Sequence, residues 1–175
     1  MKNKFISALL IFFILGGFAF SNEFVFKTKS IETTEEGKFI IAGEGKAISS
    51  DGDLEINANN FKFNKVKNTL NINGNGSIII KSQNLKLFFD DAFINQENQT
   101  ILTNGNVRVL DKKINLEIIS ESITYDRSEN FIKSDFQTKI NDKIQNKYFV
   151  DKFFSEIDKN VLKDENLVFQ DVQKN

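Results

Sequence analysis

The sequence predicts an all-β fold built from repeats of about 31 residues. Three observations carry that prediction. The stretch Leu70-Asn71-Ile72-Asn73-Gly74-Asn75-Gly76-Ser77-Ile78-Ile79-Ile80 has a counterpart 31 residues earlier, Phe39-Ile40-Ile41-Ala42-Gly43-Glu44-Gly45. It has another 31 residues later, Ile101-Leu102-Thr103-Asn104-Gly105-Asn106-Val107-Arg108-Val109. Apolar series keep the same register: Leu54, Leu85, Leu116; Ile56, Leu87, Ile118; Phe63, Ile94, Tyr125; and Phe39, Leu70, Ile101, Ile132. Finally, apolar and polar residues alternate in short runs bounded by Gly, Asn and Asp turns, with no convincing helix between them.

Composition narrows the function. The chain has 175 residues, with 23 Lys plus Arg against 24 Asp plus Glu, and no Cys, His, Trp or Pro. A near-neutral balance argues against a nucleic-acid partner, which needs a basic stripe. Without His or Cys there is no imidazole base, thiol nucleophile or thiolate metal site, so an enzyme is not expected and no cofactor is implied. The wealth of Asn, Lys, Ile and Phe reads as the compositional bias of a genome.

Residues 1–21 read as a secretion signal. Lys2 and Lys4 precede an uncharged apolar run from Phe5 to Phe20, and Ala19-Phe20-Ser21 suits a cut before Asn22. The rival is an uncleaved anchor. A spanning helix needs about 20 apolar residues, and this run is shorter, with Gly16-Gly17 inside it. Cleavage and export are therefore expected. Residues 22–175 then form one β domain, whose last 30 or so residues follow the repeat less closely.

The first unit is imperfect. Phe24, Phe26 and Thr28 alternate with polar neighbours as in a half-buried strand, Glu35 to Lys38 is a turn, and Phe39 to Ile48 is the next strand. The second unit opens on the tight turn Ser50-Asp51-Gly52-Asp53. Leu54, Ile56 and Ala58 then face one way. Phe61 and Phe63 continue the pattern with flipped parity, which strict period two would send to the opposite face. A bulge or bend near Asn59-Asn60 restores both sets to the core. The same flip follows Phe89, before Ala92 and Ile94, and follows Ser120, before Ile123 and Tyr125. A flip at one place in successive units says that the strand turns a corner there, as strands do in passing between the faces of an open barrel or sandwich. Toward the C-terminus, Tyr148, Val150 and Phe153 fit the register, although Phe149, Phe153 and Ile157 also suit one helical face; the repeat favours strand. Leu162 and Asn166-Leu167-Val168-Phe169 echo Ile132 and Asn106-Val107-Arg108-Val109.

With these residues in hand, the chain resembles the OstA-like domain of the periplasmic lipopolysaccharide-transport family, shared by LptA and the N-terminal part of LptD, with LptC as a relative. Ile56 to Gly76, Leu87 to Val109 and Ile118 to Ile132 carry the likeness. The resemblance implies a twisted, open β-jellyroll of antiparallel strands. It also implies an apolar interior that holds the acyl chains of lipopolysaccharide, and edge-to-edge pairing with other Lpt-type jellyrolls or with further copies. A stand-alone LptA-like protein and the periplasmic part of an LptD-like chain, the latter associated with the outer membrane, both fit the resemblance. On this reading the lipid-contacting interior comprises Ile56, Phe61, Phe63, Leu70, Ile72, Ile78, Leu87, Phe89, Ile94, Val109, Ile118 and Ile123. The contrasting reading is a structural β-repeat protein of the cell surface, an adhesin or fibre segment, with no lipid. A regular solenoid of that kind would not flip parity in each unit.

Other chemistry is weak. The carboxylate pairs Asp51/Asp53 and Asp90/Asp91 are expected to serve turns beside strand ends, since Ser50 to Asp53 lacks the rest of a calcium loop. Gly74-Asn75-Gly76 has no following helix or Lys-Ser/Thr, so it reads as a kink within a strand and not as a phosphate loop.

Overall fold

The computed structural model describes residues 24–144 and 146–157, together with the backbone of 161–163. The leader at 1–21 and the echo at 166–169 lie outside the described residues. Strands run in the order β1 (Phe24–Thr28), β2 (Ile31–Thr34), β3 (Phe39–Ala42), β4 (Gly45–Ser49), β5 (Leu54–Ala58), β6 (Asn60–Asn64), β7 (Thr69–Ile80), β8 (Leu85–Asn95), β9 (Thr100–Asp111) and β10 (Leu116–Asp126). They continue with β11 (Phe131–Ser134), β12 (Thr138–Asn141), β13 (Lys147–Val150), β14 (Phe153–Glu156) and β15 (Val161–Lys163). Every pairing is antiparallel.

The strands form one sheet that branches into two leaves. The first leaf has the order β1-β4-β5-β7-β8-β9-β10-β12-β13, and the second β2-β3-β6-β7-β8-β9-β10-β11-β14-β15. The long strands β7 to β10 belong to both: each runs through one leaf, turns a corner, and continues in the other. The short strands β1 and β2, β3 and β4, β5 and β6, β11 and β12, and β13 and β14 are in each case the same long strand cut in two at the corner. Among the described residues neither leaf closes on itself, so β1 and β2 end the sheet on one side and β13 and β15 on the other.

Two sequence devices make the corner, one on each half of the repeat. In β7 the register with β8 slips between Asn73 and Gly76, because Gly74 and Asn75 are both left-handed, with φ of 87° and 50°. In β9, Gly105 and Asn106 do the same at 72° and 47°. Glycine adopts this region freely and asparagine tolerates it, which is why the pair recurs. Inserting two residues preserves parity, so both halves of the strand still point inward. In the alternate strands one corner residue, Asn59, Asp90 or Glu121, shifts the parity, as the flip predicts. Phe39 to Ile48, expected as one strand, is broken at Gly43-Glu44, where the chain crosses from the second leaf to the first, and β2 is an additional strand that sequence reading did not find.

The corner also corrects the reading of Asp90 and Asp91. They sit in the middle of β8, not in a turn. Asp91 accepts a hydrogen bond from the Asn73 side-chain amide at 2.9 Å, and Asp90 one from Asn106 at 2.8 Å. The carboxylates therefore stitch adjacent bulges together along the spine of the fold.

Hairpin turns at the far ends of both leaves share one construction. Asn64, Asn95, Asp111 and Asp126 each accept two backbone N–H bonds from the residues that follow. Such side-chain turns tolerate a left-handed residue just after, here Asn68, Gln99, Asn115 and Asn130. Neighbouring turns are then tied by backbone bonds, for example Gln96 N–H to the Asn68 carbonyl at 3.1 Å and Arg127 N–H to Gln99 at 3.0 Å. The C-terminal segment resolves its ambiguity as strand: Phe149 and Phe153 lie on β13 and β14, with Phe149 pointing outward.

Candidate functional site

The site is the space between the leaves. On the first leaf, cross-strand register aligns Phe26, Ala47, Ile56, Ile78, Leu87, Val109, Ile118, Ile140 and Tyr148 in one row, edge to edge. On the second, Thr33, Ile40, Phe63, Leu70, Ile94, Ile101, Tyr125, Ile132 and Ser155 align likewise. These rows follow from the repeat. One inward residue per half-strand, repeated at a constant period, stacks directly onto its neighbour once the strands pair.

All twelve residues assigned to the interior from sequence lie in this one buried cluster: Ile56, Phe61, Phe63, Leu70, Ile72, Ile78, Leu87, Phe89, Ile94, Val109, Ile118 and Ile123. None is more than 3% exposed. Each contributes about 1.5–3 kcal/mol by burial, so the rows hold the leaves together whatever else they do. Phe89 owes its place to Gly76, its cross-strand partner at the corner. A Cβ there would lie 2.3 Å from the phenyl ring.

The interior is not uniform along its length. At the N-terminal edge, Phe24 meets Phe63 edge-on at 5.6 Å and Phe26 meets Phe61 at 5.8 Å, closing that end with rings. Toward the C-terminal edge, hydroxyls enter the wall. Ser120 and Ser134 are hydrogen-bonded at 2.8 Å, and Thr138 donates to the Phe136 carbonyl at 2.8 Å with Ser120 3.1 Å away. Ser134 also accepts the Phe136 N–H at 3.1 Å. Here β11 gives way to β12 without the Gly-Asn pair, and side-chain hydroxyls take over the backbone groups that the corner frees. Beyond them, Leu85, Val109, Leu116, Ile118, Ile132 and Ile157 line a cavity of about 90 Å³ between the leaves, with Asp111, Ser155 and Glu156 at its margin.

The open side of the fold carries a feature that the local sequence did not announce. Arg127, in the β10–β11 turn of the second leaf, reaches the β4–β5 turn of the first. Its guanidinium donates to Asp53 Oδ2 at 3.0 Å and lies 3.5 Å from Asp51 Oδ2. Asp53 Oδ1 accepts the Ser82 N–H at 2.8 Å, bringing a third turn into the network. Burial opposes ionisation of Asp51, but the Ser49 hydroxyl, the Asp53 N–H and Arg127 outweigh it and hold its carboxyl below the usual carboxylate range. The aspartates do build a turn, as expected, and they also clasp the two leaves. One signal for this was present in the sequence: Arg108 and Arg127 are the only arginines in a lysine-rich chain. Both are in ion pairs, Arg108 with Glu117 on the outer face. A planar donor fork suits carboxylates better than an ammonium does.

Among the described residues no cluster of His, Cys, Asp and Glu is placed to hold a metal, and no helix could cross a membrane.

These features define the class of the fold: an antiparallel β-jellyroll that is open among the described residues and has an apolar interior. The chain shares this fold with a solved structure, LptH from Pseudomonas aeruginosa, described as the LptA-homologous periplasmic component of the lipopolysaccharide transport device. The two are 14% identical, with a TM-score of 0.59, over 70% of this chain and 88% of that one. The jellyroll implied by the resemblance is thus found. No known family profile matches the chain, and no curated protein matches it in sequence.

Proposed function

We propose that this protein is a periplasmic carrier of lipopolysaccharide, not a catalyst, with the acyl chains held between the two leaves. The observation that carries this reading is the pair of inward rows, apolar from Phe26 to Tyr148 on the first leaf and from Ile40 to Ile132 on the second. A continuous apolar track suits a hydrocarbon ligand, because each methylene taken from water contributes about 0.8 kcal/mol. Among the described residues β1, β2, β13 and β15 have a strand on one side alone, and such edges suit β-augmentation by other jellyrolls or by further copies. The fold shared with LptH supports the same reading. The signal-like leader supports delivery outside the cytoplasm.

One observation favours the structural alternative. The interior is densely filled, and a scaffold with no lipid would look like this too. Photocrosslinking separates the two. A photoreactive residue at Ile72, Leu87 or Ile118 should capture lipopolysaccharide in cells, whereas one at Lys65 in a turn or Lys86 on the outer face should not. If interior positions capture none while the protein is folded and exported, the carrier reading is wrong and the repeat is a scaffold.

A further inference from the structure

The filled interior raises the question of how a chain of hydrocarbon would get between the leaves. The N-terminal end is closed by the Phe24–Phe63 and Phe26–Phe61 ring contacts. The spine is closed by continuous strands. The open side, where the two rows of turns face each other, has the Arg127 clasp at one point and the apolar cavity at another. We propose that the cavity is a lateral port for the end of a hydrocarbon chain, and that the clasp of Arg127 on Asp51 and Asp53 sets how far the seam widens to admit it. This inference rests on the carrier reading above and adds where the chain enters.

Clasp and cavity are parts of one mechanical unit. Leu85 in the cavity wall follows the turn whose Ser82 N–H is held by Asp53. Ile132 follows the turn that contains Arg127, and Ile157 N–H bonds to the Asn130 carbonyl of that same turn at 3.0 Å. Pulling Arg127 away from the aspartates therefore frees both walls at once. The contact is well suited to opening. It joins turns by a few polar groups, of which Asp51 is 57% exposed and Arg127 and Asp53 are 18% exposed each, so water can reach the lost partners as the seam parts. Through most of the interior the leaves meet by apolar rows that water cannot replace.

The chain has no cysteine, so a double variant Asp51→Cys/Arg127→Cys carries the only two thiols. A short bis-maleimide would bridge them, while N-ethylmaleimide would cap them and leave the seam unclasped. Stopped-flow fluorescence then follows uptake of diphenylhexatriene, an uncharged hydrocarbon probe that is dark in water. The bridged form should take up the probe at least ten-fold more slowly than the capped form, with matching circular dichroism. Arg127→Gln alone should take it up several-fold faster than the natural protein, which tests the same point without thiols. Equal rates in bridged and capped protein, both binding the probe, would overturn the lateral port and leave the carrier reading standing. Failure of the natural protein to bind the probe at all would overturn both.

Discussion

The N-terminal and C-terminal halves of the interior are built from the same repeat and filled differently. Between β1 and β7 the wall is mostly apolar, with Ser49 and Thr69 buried beside the turns, and it ends in a cluster of four phenyl rings. Between β10 and β14 the same register positions hold Ser120, Ser134, Thr138 and Ser155, and a cavity remains. The repeat dictates that a side chain points inward, but not that it fills its space. The N-terminal half reads as a fixed end, and the C-terminal half as the part with room to yield.

The sharpest way to break this contrast is Phe63→Ala. Phe63 is 1% exposed and packs on Phe24, so its loss should cost about 3–5 kcal/mol, measured by urea unfolding. A cost below about 1 kcal/mol would mean that the rings do not anchor that end. The C-terminal half should respond more mildly. Ser134→Ala strands the Phe136 N–H and removes a partner from Ser120, at about 1–2 kcal/mol. If it costs as much as Phe63→Ala, the two halves do not differ in the way described.

The smallest expected effect is electrostatic. The Asp51 carboxyl is held below its ordinary value, so the unfolded chain binds its proton more readily than the folded one does. Its contribution is present in full above about pH 4, the ordinary aspartate value, and is lost as pH falls through the lower folded value. Arg127→Gln should therefore lower stability at neutral pH by no more than about 1 kcal/mol, as expected for a partly exposed pair. It should also flatten the acid side of the stability profile, seen as a smaller drop in Tm between pH 5 and 3 than in the natural protein. An unchanged acid profile would mean that Ser49 and the Asp53 N–H alone set the Asp51 titration.

Much of the fold was legible because its devices are local. The parity flip at Asn59-Asn60 was a pattern in a dozen residues, and it marked a real corner. Gly74-Asn75 was readable as a kink because few residues other than glycine and asparagine accept a left-handed backbone. The inward positions were readable because strand side chains alternate strictly. Asp90 and Asp91 were misplaced for an instructive reason. Carboxylate pairs are common in turns, and nothing within β8 says that Asn73 and Asn106 will arrive beside them from neighbouring strands.

By itself, then, the sequence determined the repeat, most of its strands, the places where they turn and the residues that face inward, since each depends on periodicity and backbone preference within one unit. Only the tertiary structure decided which half-strand joins which leaf, that hydroxyls replace glycine at the last corner, and that a cavity remains between the leaves beyond them. It alone brought Arg127 to Asp51 and Asp53, which lie more than seventy positions away in the chain. That meeting depends on how two twisted leaves cross, and the crossing is a sum over all their strands that no single repeat contains.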